Sequence, residues 1–338
     1  MSKKIKVGII GAGRIGKIHA QHIVHRISGA ELGAIADIQV EAAKRCASEL
    51  DIPLVFEDYR KIIENPDIDA VIICSSTDTH TQIIEEAAEA KKHIFCEKPI
   101  DFDLKRIDRA LKKVEENGVK LQIGFNRRFD PNFRRAWEFI QEGRIGEPHI
   151  LRITSRDPEP PPIEYVKVSG GIFLDMTIHD FDMARYLMES EAQEIYAVGD
   201  VLIDSAIGRE GDLDTVLVTI KFRNKALGTI DNSRKAVYGY DQRVEVFGSR
   251  GMIAVSNNKS NTVTVSTDDF IKEDLPPFFF MDRYIESYIA EMKAFINCII
   301  NDETPSVTGT DGRIAVVMGK AAKLSYDENR PVGISEIS

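Results

Sequence analysis

The sequence is poor in cysteine, in net positive charge and in long apolar runs. Four cysteines stand among 338 residues, at 46, 74, 96 and 298. They are too widely spaced for a metal knuckle or a CxxC redox pair. They read as buried apolar residues in a reducing compartment, which predicts a cytoplasmic location. No uninterrupted apolar run reaches the ~20 residues of a bilayer span. Lys3, Lys4 and Lys6 ahead of the patch Val7–Ala12 imitate a signal peptide. That patch is too short, and Arg14 and Lys17 follow at once, so no leader is expected. Lys and Arg number 44 against 54 Asp and Glu, a net charge of −10. An acidic surface argues against nucleic acid or an anionic membrane as the main partner.

What remains is ordinary soluble composition, 43% hydrophobic and 29% charged, in a chain long enough for two domains. Up to residue 125, short apolar segments alternate with amphipathic, helix-length ones. Strands are expected at Lys6–Ile10, Leu32–Ala36, Leu54–Phe56, Ala70–Cys74, His93–Cys96 and Lys120–Gly124. Strands apolar on both faces belong to a parallel sheet covered by helices, a doubly wound α/β domain. From residue 126 to 338 the pattern changes to period-two strands joined by short turns, which predicts a mostly antiparallel sheet. The best of these strands carries Val216, Val218, Ile220 and Phe222 on one face.

Gly11-Ala12-Gly13-Arg14-Ile15-Gly16 follows the first strand and opens a helix. Gly11 permits the tight turn, Gly13 lets the backbone approach a pyrophosphate, and Gly16 lets helix and strand pack closely. The helix N-terminus offers unpaired amides to the phosphates. Asp37 ends the second strand, where an acid accepts bonds from the adenosine ribose hydroxyls. Ile38 follows it, with no adjacent arginine to take a 2′-phosphate, so NAD is expected over NADP. The fourth strand runs into Ser75, Ser76, Thr77 and His80, small polar groups suited to a cofactor ribose and equally to capping the next helix. Lys98, before Pro99, is a cation at the carboxyl end of the fifth strand, placed to polarise a substrate hydroxyl.

In the second region, Asp175 and His179 are four apart. On one helix they share a face, where the carboxylate orients the imidazole and stabilises its cation. Such a histidine accepts a hydroxyl proton at neutral pH. A structural Asp–His bond has the same spacing. His19, His22 and His25 form a stripe with no acid or cysteine nearby in sequence to complete a metal site, so no metal is expected.

These segments, together with Glu97-Lys98-Pro99, Gly124–Phe129, Gly170–His179 and Tyr238-Gly239-Tyr240-Asp241, resemble the glucose–fructose oxidoreductase / inositol dehydrogenase family over nearly the whole chain. The resemblance implies a Rossmann domain at 1–125 and, at 126–338, an α/β domain with a large open sheet for substrate binding and for a homo-oligomer, dimer or tetramer. It implies that Glu97 and Arg127 join the cofactor residues. It makes Lys98 the bridge between substrate and nicotinamide, and His179 the base oriented by Asp175. It adds Arg128, Asp157, Tyr238 and Tyr284 as polyol contacts, with Tyr240 an alternative to Tyr238. The implied reaction is oxidation of myo-inositol to scyllo-inosose with NAD. Met176, where some members carry a small polar residue, leaves another inositol isomer or a pyranose open. A non-catalytic dinucleotide sensor is the alternative of another class; retention of Lys98, Asp175 and His179 argues against it.

Overall fold

The computed structural model describes residues 4–337. Lys3, counted above among the basic residues, lies outside them. The chain forms two compact units.

The first unit opens with β1 (Ile5–Ile10), α1 (Arg14–Arg26), β2 (Ala30–Ala36), α2 (Val40–Leu50), β3 (Leu54–Phe56) and α3 (Arg60–Ile63). It continues with β4 (Ala70–Ile73), α4 (Thr77–Glu89), β5 (His93–Cys96), α5 (Leu104–Asn117) and β6 (Leu121–Ile123). The strands lie in the order β3-β2-β1-β4-β5-β6, all parallel. The order reverses between β1 and β4, where such sheets hold a dinucleotide at their carboxyl ends. β4 is buried along its whole length, as a central parallel strand must be. Side-chain and glycine caps set the helix ends: the Asp103 carboxylate accepts from the amides of Lys105 and Arg106, and Gly118 closes α5 at φ 66°.

The rest comprises α6 (Pro131–Gln141), β7 (Pro148–Arg156), α7 (Ile163–Val166), α8 (Ile172–Asp175), α9 (Thr177–Met188) and β8 (Ala192–Asp200). Then come α10 (Ser205–Arg209), β9 (Thr215–Phe222), β10 (Leu227–Ser233), β11 (Asp241–Gly248) and β12 (Gly251–Val255). The chain ends with β13 (Thr264–Ser266), β14 (Ile271–Glu273), α11 (Phe280–Ile300), α12 (Gly309–Glu328) and β15 (Val332–Gly333). The large sheet runs β12-β11-β7-β10-β9-β8-β15. Only β7 and β10 pair in parallel. On β9 the expected face, Val216, Val218, Ile220 and Phe222, is buried. Helix α9 covers the inner face of β7 and β10.

Residues 286–316 return to the first unit, a departure from the sequence division at 125/126. Helix α11 is kinked at Tyr284 (φ −117°, ψ 16°). Past the kink, Met292, Phe295 and Ile296 complete the core formed by Val7, Ile9, Ile72 and Phe95. An amphipathic helix shows which face it buries but not against what, so this return had no local signal.

Candidate active site

The glycine turn after β1 has the shape its residues demand. Gly11 sits at φ +102°, and a Cβ there would lie 2.6 Å from the Cys74 carbonyl. A Cβ on Gly16 would lie 1.9 Å from the Gly11 oxygen. Gly13 differs: nothing stands within 4 Å of its would-be Cβ. The turn is therefore tight beneath and open above, a cradle that admits a phosphate to bare backbone. Arg14 and Ile15 form the first turn of α1, Arg14 exposed and Ile15 half-buried. Asp37 lies just past β2. Its Oδ2 accepts the Ala12 amide and its Oδ1 the Gln39 amide, each at 2.7 Å. Both oxygens keep lone pairs for ribose hydroxyls. Ile38 is 85% exposed, with no charge for a 2′-phosphate.

Helix α4 starts at Thr77, with Ser76 at its cap position and no side-chain capping bond. Ser75 and Thr79 pair through their hydroxyls at 2.7 Å. His80 differs from a simple cofactor contact. It is buried, its Nδ1 2.8 Å from the Pro99 carbonyl and its Nε2 3.0 Å from the Ser75 carbonyl. One imidazole thus ties the loops behind β4 and β5 together. Burial lowers its pKa, and the two carbonyls oppose that shift.

Lys98 is half-buried behind β5, and its bond to Pro99 is cis. Glu97 turns inward, its Oε1 2.8 Å from His19 Nε2. Of the histidine stripe, His19 meets acids from distant parts of the sequence: Glu97 and Glu291 both approach it. They arrive from 78 and 272 positions away, beyond any local pattern. Arg127 is buried in the 3₁₀ turn Asn126–Phe129. Arg128, read as a polyol contact, donates to Asp311 Oδ1 at 3.1 Å in the same unit.

In the second unit, Asp175 and His179 do not share one regular helix. Asp175 ends α8, Met176 (φ −100°, ψ −59°) joins the helices, and His179 lies in the first turn of α9. Both are half-buried. Two groups that the sequence reading missed grip Asp175. The Tyr165 hydroxyl donates to Oδ1 at 2.7 Å, and Arg234 Nη1 donates to Oδ2 at 3.1 Å. Arg234 also meets Asp212 at 3.5 Å, whose other oxygen accepts the Ile172 amide that starts α8. Burial works against the Arg234 charge, but Asp175, Asp212 and Asp157 outweigh it and raise its pKa. The Tyr165 phenol is held well above its ordinary value, first by desolvation and then by Asp175. It therefore donates to Asp175 throughout the neutral range. Asp157 follows β7 and stands near this group.

Tyr238 and Tyr240 now separate. The Tyr238 hydroxyl donates to Asp241 at 2.6 Å and accepts from Arg156 at 3.3 Å, with the residue 37% exposed. Tyr240 is buried edge-on against Tyr284, ring centres 5.9 Å apart. Tyr284 itself is 2% exposed.

Residues 5–125 match the family model described as "Oxidoreductase family, NAD-binding Rossmann fold", and residues 133–254 match the "GFO/IDH/MocA C-terminal domain". The chain is 53% identical to an uncharacterized oxidoreductase of Bacillus subtilis, over 99% of this chain and 98% of that protein. It is 48% identical to the myo-inositol 2-dehydrogenase of Thermotoga maritima, over 98% and 99%. Its fold is similar to a crystal structure of scyllo-inositol dehydrogenase from Lactobacillus casei with bound NAD(H) and scyllo-inositol. That comparison gives a TM-score of 0.92 at 32% identity, covering 98% of this chain and 100% of the other. The open cradle at Gly13 and the lone pairs of Asp37 fit NAD, and the chain belongs to the GFO/IDH/MocA oxidoreductases, with an NAD-binding Rossmann fold over residues 5–125.

Proposed function

We propose that the chain oxidises a ring hydroxyl of an inositol, converting myo-inositol to its 2-keto product with NAD⁺. When bound, NAD⁺ supplies the hydride acceptor. The amides of the Gly11–Gly16 turn hold the pyrophosphate, with Arg14 and Ile15 beside it, and Asp37 holds the adenosine ribose. Ser75, Ser76, Thr77, Glu97 and Arg127 complete the cofactor set, and His80 braces the loops that carry them. Lys98 offers an ammonium to the reacting hydroxyl. His179 takes its proton, a role that typically contributes 10²–10⁴-fold. Arg128, Asp157, Tyr238 and Tyr284 hold the remaining hydroxyls.

The observation that supports this most is the clamped Asp175. Tyr165 and Arg234 favour its ionised form, so a fixed negative charge stands four residues from His179. A dinucleotide sensor has no use for that arrangement. The names of the similar proteins supply the substrate class. The likeness to a scyllo-inositol dehydrogenase keeps that isomer as the second reading.

Homo-oligomers, dimer or tetramer, form in this reading through the outer face of the large sheet. Leu227, Phe247 and Met252 lie there 47–54% exposed, set in one row through Ile150 by the strand register, an apolar stripe suited to a second copy. A reducing cytoplasm suits the four unlinked cysteines. No helix among the described residues is long and apolar enough to cross a membrane.

Initial rates of NADH formation test the proposal, with myo-, scyllo- and D-chiro-inositol, glucose and xylose offered with NAD⁺ or NADP⁺. The fastest turnover is expected with myo-inositol and NAD⁺. Turnover of a pyranose alone discards the substrate and keeps the chemistry. NADH binding without any turnover favours the sensor.

A further inference from the structure

The roles assigned above use only Glu97 of a buried cluster in the first unit, and leave His19 and Glu291 without one. His19 comes from α1, Glu97 from the end of β5 and Glu291 from α11. Their nitrogen and oxygen atoms lie within 4.8 Å of one another. His19 and Glu291 are 0% exposed. The rings of Phe95 and Tyr288 stand edge-on to His19, centres 5.1 and 5.8 Å away. His19 Nε2 lies 2.8 Å from Glu97 Oε1. Neither oxygen of Glu291 has a hydrogen-bond partner among the described residues, and the same holds for His19 Nδ1.

Two carboxylates enclosed by such walls do not both stay charged; one keeps a proton or a cation lies between them. Burial holds Glu291 well above the usual carboxylate range, and the neighbouring Glu97 carboxylate pushes the same way. The Cys74 and Cys96 thiols beside the pair are raised as well, chiefly by burial, and so stay neutral. On α1, His22 is held down to about 4, first by burial and then by His19, so it brings no charge at neutral pH. A divalent cation is the competing occupant. It would take a lone pair of a His19 ring nitrogen together with carboxylate oxygens, and a metal retained in stoichiometric amount distinguishes it from a proton.

We propose that a single proton, carried by Glu291, fills this cluster, and that Glu291 is thereby a positioning residue for Glu97 and for the Lys98 that follows. The Lys98 part rests on the role given to Lys98 under the proposed function; the proton part stands without it. A neutral Glu291 leaves the Glu97 carboxylate to its bond with His19. The Glu97 amide donates to the Ile73 carbonyl at 3.0 Å, and the Pro99 carbonyl faces His80 at 2.8 Å. Lys98 is then anchored on both flanks. An ionised Glu291 repels Glu97 from His19 and loosens one anchor.

Infrared spectroscopy of the full-length protein and of Glu291→Gln is the test. The wild type is expected to show the C=O stretch of a protonated carboxyl at neutral pH, and Glu291→Gln to lack it. Glu291→Gln, a shape match for the neutral acid, is expected to keep kcat within about twofold, while Glu291→Ala lowers it by about tenfold or more through displacement of Lys98. A wild-type spectrum without the band overturns the proposal, as does a stoichiometric divalent metal that Glu291→Gln no longer retains. Equal kcat for the Gln and Ala variants overturns the positioning role. If the wild type turns over no polyol, the function reading fails separately and the infrared band still decides the proton. If Glu291→Gln does not fold, the wild-type band and its disappearance at high pH decide it.

Discussion

Arg234 Nη1 lies 3.1 Å from Asp175 Oδ2, and the arginine side chain is only 1% exposed. The same guanidinium reaches Asp212, which fixes the first turn of the helix that ends in Asp175. One buried cation therefore holds both the charge and the backbone of the acid four residues before His179. Removing one member of a buried ion pair strands the others, at a cost of about 3–5 kcal/mol. Arg234→Met is expected to lower the urea midpoint by a corresponding amount and to reduce kcat in the protein that still folds. Unchanged stability contradicts this account of the network.

The glycine turn gives a contrast between neighbours. Gly16→Ala forces a methyl to within 1.9 Å of the Gly11 oxygen, so the variant is expected to lose both thermal stability and NADH binding. Gly13→Ala meets open space. Its Tm is expected to stay near wild type while its NADH affinity, read by fluorescence titration, falls by about tenfold or more, since the methyl occupies the pyrophosphate approach. Equal behaviour of the two variants contradicts the cradle.

Asp37 anchors two loop amides, and in the proposed reading it sets the preference for an unphosphorylated ribose. Asp37→Ser removes the charge that repels a 2′-phosphate. The ratio of kcat/KM for NAD⁺ over NADP⁺ is expected to fall by about tenfold, the equivalent of one charged hydrogen bond. An unchanged ratio places the cofactor choice elsewhere.

Glu291 ties stability to pH. Its native pKa is raised from an ordinary value of 4.5. Between those two values the native chain holds a proton that the unfolded chain has released, so stability falls as pH rises through the window. Glu291→Gln removes that slope. The urea midpoint of the variant minus that of the wild type is expected to grow in the variant's favour between about pH 5 and pH 8. A difference that does not change with pH contradicts a neutral Glu291.

The parallel sheet was legible because each strand is apolar on both faces and each helix carries its own period. The glycine turn and Asp37 were legible because their chemistry is local, a few residues beside a strand end. Asp175 and His179 were singled out by spacing, but their setting was not visible in it. The spacing implied one helix, and the chain instead makes two that meet at Met176. Tyr165 and Arg234 reach Asp175 from 10 and 59 positions away. Neither carries a mark that sets it apart from a surface tyrosine or arginine. The His19 cluster was hidden for the same reason, since Glu291 comes from a helix that the pattern assigned to the other domain. Local periodicity reports which face is buried; pairings across the chain are set by packing, and one sequence does not display them.

The central claim is hydride transfer from a ring carbon of an inositol to NAD⁺. Incubating the protein with NAD⁺ and myo-inositol deuterated at C2, then analysing the cofactor by mass spectrometry, tests it directly. The account predicts reduced cofactor carrying the deuterium, a ring ketone at C2, and loss of both in His179→Ala. Reduced cofactor without the label, or no reduction with any inositol isomer, contradicts it.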